Sequence, residues 1–238
     1  MQIRIDSSQE FGRLLNALAD EMVSACIHYR LYSDLEAARK NYIVELNESK
    51  AFWSLTFKAH LDTVLFRLCK IYDQHSSSLN LKNLLDTIKA NIDIFDVEQF
   101  RERLKDNPFV DSLSTSPTKP DMAQLENDIN YVSEANPSVK ALIFWRNNLF
   151  AYRSAKHVAK NRNLADHYSL NLKQIERLLK EGMCILNRYS SLFHANRHST
   201  QIVGHDDYLN VLEAIRKVVR QYEEERAREV ELFQKLSE

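Results

Sequence analysis

Arg146 and Asn147 stand in a stretch from Ala135 to Ala165 that contains no Asp or Glu, in a chain of 238 residues whose formal net charge is −1. The same stretch carries Lys140, Arg146, Arg153, Lys156, Lys160 and Arg162, where average composition would place about four acidic residues. On a helix turning about 100° per residue, Arg146, Phe150, Arg153 and His157 fall on one stripe. Leu142, Trp145, Leu149 and Tyr152 fall on the neighbouring one. A guanidinium offers forked donors to phosphate oxygens, and an aromatic ring offers a stacking face to an unpaired base. The pattern therefore suits phosphate or RNA recognition. It equally suits a core helix whose cationic face is solvated, and composition alone leaves both open.

Other chemistry finds less support. His194 and His198 form an i, i+4 pair, with His205, Asp206 and Asp207 close by, but no His-Glu-x-x-His pattern accompanies them. There is no glycine-rich phosphate loop, no nucleophile elbow and no paired carboxylate motif, so neither a metal nor a cofactor is expected. Cys26, Cys69 and Cys184 are odd in number and widely spaced, each within a helical apolar pattern, and are expected to be reduced core residues.

The elements that must position these residues are helical. Three glycines and four prolines are too few for the tight turns of a sheet protein, and 44% hydrophobic content can fill a sizeable core. Ser7 and Glu10 have capping-box spacing ahead of Phe11, Leu14, Leu15, Leu18 and Met22. Ser33 and Glu36 repeat that signature, which predicts a second, shorter helix. Residues 48–73 are apolar on more than one face, the mark of a central helix, and Asn80 or Ser78 can cap a helix bearing Leu84, Leu85 and Ile88. Residues 105–120, rich in Pro, Ser and Thr, are expected to be the longest loop. Pro137 can open a helix running to about Lys160. Residues 171–193 and about 207–236 complete the series, the last dense in Glu and Arg. The whole is read as one domain. No window reaches the roughly 18 apolar residues of a membrane span, and the N-terminus has no apolar leader segment, so a cytoplasmic protein is expected.

Residues 141–152, Ala-Leu-Ile-Phe-Trp-Arg-Asn-Asn-Leu-Phe-Ala-Tyr, resemble the signature region of the HEPN superfamily, in which an Arg followed by a polar residue precedes a His by four to six positions. Residues 66–73, with 78–81 and 84–85, are similar to the second helix and following loop of its abortive-infection, AbiU-like branch, and residues 172–193 to a later helix of it. The resemblance implies an all-α, up-and-down helical bundle with additional helices, paired as a homodimer over a shared cleft. It also implies a metal-independent endoribonuclease of a phage-defence or toxin system, with an antitoxin or defence-system partner. Carried over, Arg146 is the phosphate ligand and Asn147 its polar support. Tyr152 stands where the family has His, and a phenol titrates near about 10 rather than 6.5, so it can donate to phosphate but is a poor base at neutral pH. His157 is the substitute imidazole, about 16 Å of helical rise beyond Arg146. Lys140, Arg153, Lys156 and Lys160 are the expected RNA contacts. Two other readings stay open: a catalytically inactive module that binds RNA or a protein, and a helical scaffold.

Overall fold

A computed structural model describes residues 2–150, 170–201 and 204–237. Among these residues there is no strand, and the helices are α1 (Ser8–Ala38), α2 (Ile43–Glu48), α3 (Lys50–Ile71), α4 (Leu81–Ala90), α5 (Val97–Arg103), α6 (Val110–Leu113), α7 (Met122–Tyr131), α8 (Pro137–Trp145), α9 (Leu172–His194) and α10 (Tyr208–Ser237). A 3-10 turn covers Ile92–Phe95, and a π-turn, Arg146–Phe150, continues α8. No described helix is long and apolar enough to cross a membrane.

The chain folds into two compact units, one of residues 1–26 and 63–200 and the other of residues 27–62 and 201–238. In the first, Phe11, Leu15, Leu18 and Met22 of α1 are fully or nearly fully buried, as are Leu68 and Ile71 of α3, Leu84, Leu85 and Ile88 of α4, and Leu178, Leu186, Tyr189 and Phe193 of α9. Phe11, Phe95 and Phe193 meet edge to face at 4.8–5.7 Å between ring centroids, the geometry that aromatic quadrupoles favour. The close packing of this unit depends on Gly182. A Cβ there would come within 2.3 Å of Met22 Cε and 2.8 Å of the Tyr72 hydroxyl, which itself donates to the Leu178 carbonyl at 2.7 Å.

The second unit closes over Leu35, Ala38, Leu46, Trp53, Phe57 and Leu212. Arg216 of α10 bonds Glu45 of α2 and lies 4.2 Å over the Tyr42 ring, whose hydroxyl donates to Glu213 at 2.6 Å. Beyond Val219, α10 buries nothing: residues 220–237 are all exposed.

Several sequence expectations change. α1 passes through Ser33 and Glu36 without a break, because no Gly or Pro follows Gly12 in the helix and Leu35 still finds the core at 1% exposure. The loop at 105–120 contains a four-residue helical turn, α6. Cys69 is buried, Cys26 half-buried, but Cys184 is exposed, so it is not a core residue. It follows Met183 and precedes Ile185 on α9, both buried, and points outward between them.

Candidate functional site

Arg146 is set in place by α8 and by the turn that continues it. Asn136 caps α8, its side-chain oxygen accepting from Ser138 N at 3.0 Å, and Pro137 supplies a first-turn φ without an amide proton to satisfy. Val139, Ala141 and Leu142 are buried, and the Cys69 thiol of α3 donates to the Leu142 carbonyl at 3.6 Å, one turn ahead of Arg146. From Arg146 onward the helix widens into a π-turn, in which Asn148 Nδ2 donates to the Phe144 carbonyl at 2.8 Å. π-turns recur at functional sites because the inserted residue re-aims side chains. Here the turn also ends the 100° register of α8, and Arg153 and His157 of the projected stripe lie outside the described residues.

Two groups fix the Arg146 guanidinium. Its Nε donates to the Asn147 Oδ1 at 3.0 Å, and its Nη1 donates to Asp73 Oδ1 in an ion pair. Nη2 has no partner among the described residues. The side chain is 30% exposed, against 15% for Asp73, so the carboxylate lies inward and the outer edge of the guanidinium faces solvent.

Asp73 in turn organises the segment after α3. Its carboxylate accepts from the backbone N–H of Gln74 at 2.7 Å and of His75 at 3.1 Å, and from the Ser78 hydroxyl at 3.1 Å. Two buried amides support this loop from below. Asn80 donates to the carbonyls of His75 and Ser78, and Asn83 donates to those of His75, Ser76 and Ser78, at 2.8–3.3 Å. The Asn80 side-chain oxygen also caps α4 through Asn83 N at 2.8 Å. Residues 75–77 are nevertheless exposed. Nδ1 of His75 accepts from Ser77 N at 3.3 Å and sits 2.9 Å from the Ser77 hydroxyl, which places the ring proton of the neutral form on Nε2. A buried polar network that holds an exposed imidazole on a fixed loop is the kind of support that a site requires.

The arrangement brings together Arg146, Asn147, Asp73 and His75. Lys140 is exposed on α8. Tyr152, Arg153, Lys156, His157 and Lys160 lie outside the described residues. Arg67, close to Asp73 in the same sequence motif, is engaged elsewhere, pairing together with Lys70 to Glu21 of α1. Burial alone would raise the Glu21 pKa, but the hydrogen bonds and charges of Lys70 and Arg67 outweigh it and hold the carboxyl below its ordinary value. Cys69, close to Arg146, is pushed up to about 12 by burial, with the nearby guanidinium opposing, and stays a thiol. The histidines suggested as a metal pair are separated by their roles. His198 Nε2 lies 3.1 Å from the Ser190 hydroxyl, while His194 packs at the end of α9. Among the described residues no group of three or more potential ligands gathers around one point.

Asp73 and His75 were not singled out as site residues by the sequence. The capping potential of Asn80 was visible; its grip on the loop was not, because hydrogen bonds to main-chain carbonyls leave no spacing rule. Compared with known proteins, the chain matches the HEPN family AbiU2 over residues 8–214. No curated protein and no solved structure matches it.

Proposed function

Since this chain belongs to the AbiU2 family of HEPN domains, we propose that it acts on RNA at Arg146, as a metal-independent endoribonuclease of the abortive-infection, phage-defence kind. The supporting observation is the guanidinium of Arg146, held by Asp73 and Asn147 while its Nη2 has no partner among the described residues and the side chain is 30% exposed. A fixed cation with an open edge can take the non-bridging oxygens of a phosphodiester without first losing rotational freedom of its own. It stabilises the charge that develops as the ribose 2′-hydroxyl attacks phosphorus and the 5′-oxygen departs. The products are a 2′,3′-cyclic phosphate end and a 5′-hydroxyl end.

Attack requires a group to accept the 2′-hydroxyl proton and one to protonate the leaving oxygen. Tyr152, at the family's His position, serves as a hydrogen-bond donor to phosphate in this reading. His75, whose backbone shares the Asp73 carboxylate with Arg146, is the imidazole available for proton transfer, alongside His157. Lys140, Arg153, Lys156 and Lys160 extend the contact along the RNA backbone. The chain acts as a homodimer with two such sites over a common cleft, restrained in the cell by an antitoxin or defence-system partner.

A second reading is favoured by Tyr152 itself: the same surface binds RNA or a protein without cutting. Incubating the purified protein with single-stranded RNA and comparing Arg146→Ala, His75→Ala, Tyr152→Phe and Tyr152→His separates the two. Cleavage lost in Arg146→Ala and reduced in His75→Ala supports catalysis. Salt-dependent binding with no cleavage, and a gain of cleavage in Tyr152→His, supports the binding module. Neither binding nor cleavage leaves the scaffold. A monomeric mass in solution would remove the shared cleft.

A further inference from the structure

We propose that a cavity in the first unit, beside Arg103 and at the start of α1, binds the phosphate group of a small phosphorylated metabolite. The site is separate from Arg146 and does not depend on the RNA reading. The cavity has a volume of about 380 Å³, and Ser8, Gln9, Glu102, Arg103, Lys105 and His194 are among its walls. That is at the small end of the range for metabolite pockets, which run from roughly 300 to 1,000 Å³.

Arg103 carries the argument. Its Nε donates to the Phe193 carbonyl at 3.1 Å, and its Nη1 to the Ile94 carbonyl at 2.6 Å and the Ser8 hydroxyl at 3.2 Å, while the guanidinium lies 3.9 Å over the Phe193 ring. Every one of these partners is neutral. No carboxylate pairs with Arg103 among the described residues, and its Nη2 is buried without a partner. Burial alone brings its pKa down to about 10, so the charge persists at neutral pH without a counter-ion. Carbonyls at the end of α9 offset part of that charge through their dipoles, but a half-buried cation whose inner nitrogen is left unpartnered is normally also met by an anion.

The other walls supply what an oxyanion needs. His194, half-buried, leaves its Nε2 buried without a partner, packed against Gly12 closely enough that a Cβ there would lie 3.0 Å away. Lys105 stands at the rim, paired with Glu102 at 3.0 Å in an exposed ion pair, which costs little to break and lets the ammonium swing onto a ligand. Ser8 and Gln9 begin the 31-residue α1, whose positive end faces the cavity. Guanidinium, ammonium and helix end together suit a tetrahedral dianion better than a carboxylate. A nucleic-acid backbone, by contrast, requires a track of cations along a groove, and here they converge on one point.

Calorimetric titration with inorganic phosphate, adenosine monophosphate and a short single-stranded RNA tests this, at constant ionic strength with chloride as the control anion. Saturable 1:1 binding of phosphate and of the monophosphate is expected in the wild type and in Arg146→Ala, with loss in Arg103→Gln and a several-fold weakening in Lys105→Ala. Circular dichroism checks that Arg103→Gln folds. If it does not, Lys105→Glu carries the test, with at least about a tenfold loss expected. No saturable binding up to about 10 mM phosphate would overturn the proposal. So would equal binding in Arg103→Gln (or, where that does not fold, Lys105→Glu) and wild type, loss in Arg146→Ala, or RNA displacing phosphate through Arg103.

Discussion

Arg146 and Asp73 are 73 positions apart, and a single hydrogen-bonded ion pair makes them one unit. Replacing Asp73 by Ala leaves a half-buried guanidinium with one partner fewer and removes the acceptor for two backbone N–H groups and a hydroxyl. The expected cost is about 1–3 kcal/mol in a denaturant titration, the range for a buried donor left unmade. RNA cleavage or binding should fall along with it, and Asp73→Asn, which keeps some acceptors, should fall less. The cysteines allow a cleaner test. Burial pushes Cys69 up to about 12 and Cys26 up to about 11, whereas Cys184 is exposed. Iodoacetamide at pH 8, followed by mass spectrometry, should label Cys184 first, with Cys69 and Cys26 reacting only as the protein unfolds.

At the scale of elements, α9 is the piece whose sequence announces itself. Its buried stripe runs from Ile175 to Phe193 as the pattern suggests, and an Asn171–Gln174 capping box opens the helix. What decides its depth in the first unit is Gly182. Gly182→Ala would set a methyl against the Tyr72 hydroxyl, which cannot retreat without giving up its bond to Leu178. Met22, a flexible thioether, can yield, so the predicted destabilisation is about 1–3 kcal/mol, read as a lower denaturation midpoint at unchanged slope. Helix α8 shows the opposite balance. Its start follows from Asn136 and Pro137, but the π-turn at Arg146 does not follow from any local preference in Arg-Asn-Asn-Leu-Phe.

For the whole molecule, acid should be the sensitive axis. Glu21 in the first unit and Glu45 in the second are both held below the ordinary carboxyl value of 4.5. In each, burial raises the pKa, and the paired cations, Lys70 with Arg67 and Arg216 respectively, more than reverse it. A depressed carboxyl contributes stability that is fully present above its unfolded pKa and is lost as pH falls through the folded one. The thermal midpoint should therefore hold from pH 7 to about 5 and drop below about 4.5. Glu21→Gln should start lower at pH 7 and lose less between pH 5 and 3. Equal slopes in the two proteins would mean that the Glu21 pairs contribute nothing to acid stability.

The sequence alone determined the all-α class, most helix boundaries, a cap for α4 at Asn80 or Ser78, of which the structure uses Asn80, and the AbiU-like HEPN family that the match over residues 8–214 bears out. These are local or periodic properties: a glycine-poor chain with apolar residues at helical spacing has few alternatives, and a cap acts within four residues. The tertiary structure alone decided that Asp73 grips Arg146, that Asn80 and Asn83 hold the His75 loop, and that Arg103 keeps a buried nitrogen with no carboxylate to meet it. Each of these joins residues through packing of separate helices or through main-chain carbonyls, and neither kind of contact imposes a spacing on the residues that make it.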